Sequence, residues 1–226
     1  MGVSDGRTWS ETWSQFRGRI RPRWGFIFRR IARHVSLEGL ETLELGAGEG
    51  NLSYWALRSG ARHVTLVDFS EPALDRARQL LCEWPADRVS LIQSNLLDLD
   101  LGRQFDLVWS SGVAEHFAGD DLARCIERHA RHSRRYVAIC IPSDTPFNRA
   151  RARDPRTHAL FGFWQTAPDQ TLARLVGEQG FAIRACERFR RSYGVPLLQI
   201  KGTRRLQALL HRLVFDFLLA PVLPRS

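Results

Sequence analysis

The run Glu44-Leu45-Gly46-Ala47-Gly48-Glu49-Gly50 constrains this chain more than any other. Ahead of it, Leu43 and Leu45 alternate with Thr42 and Glu44, a short strand pattern that ends at Gly46. Behind it, Asn51-Leu52-Ser53-Tyr54-Trp55-Ala56-Leu57 carries apolar residues at helical spacing. Strand, glycine turn and helix together aim backbone N–H groups and a helix N-terminus at a ligand, and glycine leaves no Cβ to block its approach. The same turn serves pyrophosphate cofactors through a G-x-G-x-x-G fingerprint, but here Asn51 stands where the last glycine is required. Glu44, two residues before the first glycine, would repel a pyrophosphate and suits a cationic group.

A second acid extends this reading. Arg62-His63-Val64-Thr65-Leu66-Val67-Asp68 reads as a strand ending in a carboxylate, placed to accept both hydroxyls of a ribose. The cationic nucleoside that both acids suit is S-adenosylmethionine, whose ammonium and sulfonium are positive. A third stretch, Phe105-Asp106-Leu107-Val108-Trp109-Ser110-Ser111-Gly112-Val113-Ala114-Glu115-His116-Phe117, completes the pattern. Over roughly residues 38 to 188 the three stretches resemble the class I S-adenosylmethionine-dependent methyltransferases, in particular the small-molecule branch of the ubiquinone/menaquinone-biosynthesis type.

The resemblance implies an α/β, Rossmann-like, seven-stranded and mostly parallel sheet with helices on both faces. A helical N-terminal cap over residues 1–37, a methyltransferase core over 38–201 and an amphipathic C-terminal helix over 202–226 would complete the chain. Glu44 would meet the methionine ammonium, the turn at Gly46, Ala47 and Gly48 would allow close approach, and Asp68 would take the ribose. Phe69, Asn95 and Leu96 would border the adenine, with Ser111 following the fourth strand. Ser94-Asn95-Leu96-Leu97-Asp98 stands where the family often has a glycine-acid pair, so Asn95 is the group left to read the base edge.

Strand patterns fall near 41–46, 63–68, 88–93, 104–110, 135–141, 181–188 and 195–200, and helical patterns near 50–59, 71–83, 119–132 and 168–179. This alternation is that of βαβ units. Ser70-Glu71-Pro72 is a helix start, with Ser70 as cap and Pro72 in the first turn. Gly180 is a helix stop.

Residues 8 to 35 read as one or two helices broken near Pro22, with Trp9, Trp13, Phe16, Ile20, Trp24, Phe26, Phe28 and Ile31 supplying apolar surface. They form either a layer on the sheet or a lid that excludes water from the site. Residues 142 to 167 read as a long loop leaving the carboxyl end of the fifth strand, where open α/β sheets bind ligands. It carries Arg149, Arg151, Arg153 and Arg156 beside aromatic residues that include Phe163 and Trp164. Trp13, Arg149, Phe163 and Trp164 are therefore the expected acceptor contacts. From Arg204 to Leu219, Leu206, Leu209, Leu210, Leu213 and Phe217 share one helical face, suited to an anionic membrane, a partner or the chain's own domain.

The net charge of +9 rests almost wholly on arginine, since Lys201 is the sole lysine. That balance reflects either base composition or an acidic partner such as a phosphorylated substrate. Cys82, Cys125, Cys140 and Cys186 form no C-x-x-C pair and read as buried thiols in a reducing compartment, and no metal-ligand cluster is visible. No secretory signal opens the chain and no run reaches the ~18 apolar residues of a spanning helix, so a cytoplasmic protein is expected, peripheral to the membrane at most.

An in-line methyl transfer needs an acceptor held ~3 Å from the methyl group in a dry site. A hydroxyl or carbon-acid acceptor also needs a base, for which His116 is the first candidate and Glu115 the second. His129 and His132 are expected to be exposed. The expected function is methyl transfer from S-adenosylmethionine to a small acceptor at oxygen, carbon or nitrogen, apolar or aromatic and with an anionic handle. The alternatives are a nucleic-acid or protein methyltransferase and a cofactor-binding module without turnover. No N/D-P-P-Y type motif supports the first alternative, and the basic residues are spread from Arg7 to Arg225.

Overall fold

The computed structural model describes residues 6–14, 20, 22–142, 144, 146–166 and 169–187. Their elements run α1 (Gly6–Ser14), α2 (Pro22–Ala32), β1 (Glu41–Leu45), α3 (Asn51–Arg58), β2 (His63–Asp68), α4 (Glu71–Leu80) and β3 (Val89–Gln93). β4 (Phe105–Ser111), α5 (Gly119–Arg131), β5 (Ser133–Cys140), α6 (Pro146–Ala152), α7 (Pro155–Phe161) and α8 (Asp169–Glu178) follow. Contacts divide the chain after Cys186, so that residues 1–186 form one unit holding both N-terminal helices and the sheet. The expected strand at 195–200 and the tail helix lie outside the described residues.

All strand pairs are parallel, in the order β3-β2-β1-β4-β5. β1 and β4 are buried on both faces, Leu43, Leu45, Leu107, Val108 and Trp109 completely, as a parallel sheet between two helical layers requires. The sheet starts at the central β1 and is wound outward in both directions, which opens a crevice at the carboxyl ends of β1 and β4.

Helix boundaries follow local chemistry. Ser70 Oγ accepts from the Ala73 N–H at 3.4 Å to cap α4. α5 opens with Asp120 and Asp121 and closes with Arg128 and Arg131, each complementing the helix dipole. Gly180, at φ 84°, ends α8 as its sequence position predicts.

At the other end of the sheet, Asp106 binds the strand starts together. It accepts from the Glu41 N–H at 3.0 Å and from Arg134 Nε and Nη2, both at 2.9 Å. Arg62, Arg103 and Arg134 gather around Glu41, while Arg88, Arg124 and Arg128 donate to backbone carbonyls. Part of the arginine content thus fastens strand ends and turns.

Four expectations change. The sheet has five strands among the described residues, where seven are expected. Residues 181–187 are irregular and all but Phe181 are exposed, because nothing pairs them to the half-buried β5. The long loop at 142–167 folds into α6 and α7, so its arginines stand on short helices. His129 and His132 are buried: His129 Nδ1 faces the Cys125 carbonyl and its Nε2 faces Ser110 Oγ at 2.8 Å, while His132 Nε2 accepts from the Leu101 N–H. The apolar stripe of α5 needed two polar rings that helical carbonyls and one hydroxyl could satisfy. Finally, Cys82 and Cys186 are exposed and Cys140 is half-buried, leaving Cys125 the one buried thiol.

Candidate active site

The crevice is a chamber of about 520 Å³ at the carboxyl ends of β1, β2 and β4. Its floor is the glycine turn, where Gly46, Gly48 and Gly50 all take positive φ. A Cβ on Gly46 would lie 2.5 Å from Val113 Cγ2, and one on Gly48 would lie 2.6 Å from the Trp13 ring. Both glycines are therefore required by close approach as well as by backbone conformation.

Glu44 and Asp68 hold this turn in place. Glu44 Oε2 accepts from the Ser53 N–H at 2.9 Å and from Ser53 Oγ at 2.6 Å, so a side chain from β1 caps α3, whose own cap residue is Gly50. Asp68 Oδ2 accepts from the Gly48 N–H at 2.8 Å and Oδ1 from the Ser70 N–H at 2.9 Å. Burial pushes the Glu44 carboxyl up to about 7 against the Ser53 bonds, and it raises Asp68 against its three backbone N–H partners. Glu49, buried beside Asn51, adds a third acid to this half of the chamber. Nothing in the spacing of the turn assigns it a role.

The second half is aromatic. Trp9 and Trp13 of α1, Trp24 of α2, Phe117, Phe161 of α7 and Trp164 enclose it. The two helices of the N-terminal segment are placed differently. α2 belongs to the packing layer, with Ile27, Phe28 and Ile31 buried and the Phe28 ring 6.5 Å from Trp55 and 6.1 Å from Trp109. α1 is the roof: Trp9 meets His116 edge-on at 4.9 Å and Phe161 at 6.0 Å.

The turn after β4 is stitched to the segment after α7 by three hydrogen bonds. His116 Nδ1 lies 2.7 Å from the Phe163 carbonyl, the Gln165 N–H donates to the Glu115 carbonyl at 2.9 Å, and Gln165 Nε2 donates to the Phe117 carbonyl. Since a carbonyl only accepts, Nδ1 of His116 carries a proton. Burial pushes that imidazole down to about 4, so it stays neutral near pH 7.

Glu115 is the outlier of the chamber. It is 3% exposed, and its Oε2 has no hydrogen-bond partner among the described residues. Burial pushes the carboxyl up to about 8, with Arg151 alone among nearby charges drawing it back. Arg151 of α6 also lines the chamber, half-buried, with its guanidinium 5.0 Å from the Trp164 ring centre.

Most residues singled out in the sequence meet here: Glu44, Gly46, Ala47, Gly48, Asp68, Phe69, Asn95, Leu96, Ser111, Glu115, His116, Trp13 and Trp164 all line the chamber. Three expected positions differ. Arg149 is exposed and bonds Asp144 at 3.2 Å, and Phe163 contributes its carbonyl to His116; neither lines the chamber. The Asn95 amide serves its own turn, accepting from the Leu97 N–H at 3.0 Å and donating to Asp98 at 3.0 Å. Arg153 is exposed, so of the loop arginines whose side chains are described only Arg151 reaches the chamber. Helical phase selects it, and a stretch read as loop has no phase to read. Among the described residues no three or more His, Cys, Asp or Glu gather as a metal site, and no helix is long and apolar enough to cross a membrane.

Comparison with known proteins agrees with this arrangement. Residues 42–135 match the family model of the methyltransferase domain. The magnesium protoporphyrin IX methyltransferase of Synechocystis PCC 6803, solved with bound SAH, superposes with a TM-score of 0.61 at 19% identity, over 81% of this chain and 89% of that one. The N-methyltransferase NodS of Bradyrhizobium japonicum WM9, in complex with S-adenosyl-L-homocysteine, gives a TM-score of 0.50 at 18% identity, over 70% and 73%. In sequence, a probable histone-arginine methyltransferase 1.3 of Arabidopsis thaliana is 37% identical over 82 residues, which are 35% of this chain and 15% of the relative's length. The chain thus carries a methyltransferase domain on the doubly wound fold of those structures and spans a small part of that curated relative.

Proposed function

We propose that the chain transfers a methyl group from S-adenosylmethionine to a small-molecule acceptor seated in the aromatic half of the chamber. One observation carries the choice of cofactor. Glu44, Glu49 and Asp68 line the glycine-turn half, and among the described residues no basic side chain lines it with them. Three buried acids favour a ligand with an ammonium and a sulfonium, and would repel a pyrophosphate. When bound, that cofactor supplies a methyl group already activated on a positive sulfur.

The chain's own part is positioning and exclusion. Asp68 fixes the turn and presents its remaining lone pairs to a ribose, while Phe69, 37% exposed, offers a ring face to a base. α1 and Trp164 keep water from the acceptor. Glu115, with an unengaged oxygen and a raised carboxyl, is better suited than His116 to take a proton near neutral pH. The enclosed, aromatic chamber supports a small acceptor, as does the likeness to a magnesium protoporphyrin IX methyltransferase. The likeness to a histone-arginine methyltransferase favours a second reading, in which the acceptor is a protein side chain. Calorimetry with S-adenosylmethionine and NAD tests the cofactor: comparable NAD binding would overturn the assignment.

A further inference from the structure

We propose that the acceptor is an amine bearing a nearby anionic group, its nitrogen received by Glu115 and its anion by Arg151. This rests on the methyl-transfer reading of the same chamber. Two observations lead to it. Glu115 Oε2 lies in a buried side chain at the chamber wall with nothing to accept from, a cost the fold bears at no other carboxylate among the described residues. Among the described residues Arg151 is the only cationic side chain lining the chamber, and no salt bridge there engages its guanidinium, which rests over Trp164.

A hydroxyl or carboxyl acceptor fits this pair poorly. A hydroxyl could satisfy Glu115 with one hydrogen bond but brings no positive charge to hold it as the carboxylate. A carboxyl acceptor would be repelled by it. An ammonium removes the deficit, because it donates a charge-assisted hydrogen bond and neutralises the anion. The aromatic walls at Trp9 and Trp164 accept a cation as well as an apolar body.

The proton balance closes on the same residue. An entering R-NH3⁺ favours the ionised form of Glu115, whose own proton leaves to solvent as the ammonium binds; the carboxylate then takes one proton from the ammonium, leaving R-NH2 with a free lone pair. The nitrogen then forms a bond to the methyl carbon, the carbon–sulfur bond breaks, and its electron pair goes to sulfur. The products are a protonated methylamine and the neutral thioether. Cys125, Cys140, His116 and Arg151 are the other titratable groups around Glu115, and both thiols and the imidazole stay neutral near pH 7. The proton therefore has one carboxylate to go to.

The test uses the full chain saturated with S-adenosylhomocysteine and matched probe sets: L-phenylalanine, 3-phenyllactate and 2-phenylethylamine, with leucine and norleucine sets built the same way. Calorimetry should show the amino acid of at least one set binding tenfold or more tighter than its hydroxy acid. Glu115→Gln should erase that preference, and Arg151→Ala should erase the advantage of the amino acid over the bare amine. S-adenosylhomocysteine affinity in both variants guards against misfolding. With labelled S-adenosylmethionine, label should enter nitrogen only. Equal binding of hydroxy acid and amino acid in every set, survival of the preference in Glu115→Gln, label in hydroxyl or carboxyl members, or binding of no set would each overturn the proposal and leave methyl transfer standing. Failure of S-adenosylhomocysteine itself to bind would overturn the underlying function.

Discussion

The Gly48 N–H donates to Asp68 Oδ2 at 2.8 Å, joining the glycine turn after β1 to the last residue of β2. The acid expected to hold a ribose is thereby also the anchor of the turn that must sit beneath the ligand. Cofactor recognition and turn geometry cannot be altered separately at this position.

Asp68→Ala should therefore weaken cofactor binding by more than one lost contact. Unpaired ribose hydroxyls and a freed Gly48 N–H each cost roughly 1–3 kcal/mol. Asp68→Asn, which keeps one acceptor oxygen, should lose less. Titration calorimetry reads both, and an unchanged dissociation constant in the alanine variant would remove Asp68 from the site.

The pH dependence of stability has a calculable sign. Glu44 and Glu115 are raised from 4.5 to about 7 and about 8, so the native state holds protons that the unfolded chain has released, and stability falls as pH rises through that range. His116 and His129 are lowered from 6.5 to about 4, so their contribution rises as pH goes from 4 to 6.5. The two effects oppose one another up to pH 6.5, and above it the carboxylates act alone. The ligand-free protein should melt at a lower temperature at pH 8 than at pH 6.5, and Glu115→Gln should flatten the difference. A melting temperature that rises over this interval would contradict the burial of both acids.

Affinity for the cationic cofactor should grow over the same interval, since Glu44 becomes an anion as pH passes about 7. Glu44→Gln should remove that growth and also loosen the cap on α3. Calorimetry at pH 6 and 8 measures it, and a flat profile in the unaltered chain would detach Glu44 from the ligand.

His116→Ala opens the wall beneath Trp9 and should lower turnover while leaving cofactor affinity in place. Because the imidazole is already neutral above about pH 4, the turnover profile of the unaltered chain should lack an inflection near 6.5. An inflection there that vanishes in the alanine variant would return the base role to His116.

Removing residues 1–20 should abolish transfer and spare cofactor binding, because α1 is roof and α2 is core. Removing residues 1–35 instead strips Ile27, Phe28, Ile31 and Val35 from the interior. Each such side chain contributes about 1.5–3 kcal/mol, so the longer deletion should unfold or precipitate. Thermal melts of the two truncations separate these outcomes, and full activity in the shorter one would reduce α1 to packing.

The central sheet and the glycine-turn half of the chamber were legible because their signals are local. Strand alternation, the glycine turn, Ser70 and Asp68 each act within a few residues of their own position. The aromatic half was legible only in part. The contrast between Glu115 and His116 depends on which carbonyls lie across the turn, and Phe163 is 47 residues away from His116. His129 and His132 sit among arginines in sequence, yet the 3.6-residue period turns them inward while Arg128 and Arg131 face out or along the surface. Arg151 was singled out only together with its neighbours, since a segment without assigned helices offers no phase with which to separate them.

α1 spans the two halves of the chamber within a single short helix. Its Trp9 leans on His116 and Phe161, its Trp13 lies on Gly48, and the Ser14 carbonyl accepts from Arg76 on α4. A ligand in either half therefore acts on the same roof. Whatever free energy the first ligand spends in settling α1 is no longer demanded of the second, and by reciprocity each must tighten the other by the same factor. Release obeys the converse: loosening α1 for one product weakens the grip on both, so a single small helix can set the order in which the chamber fills and empties.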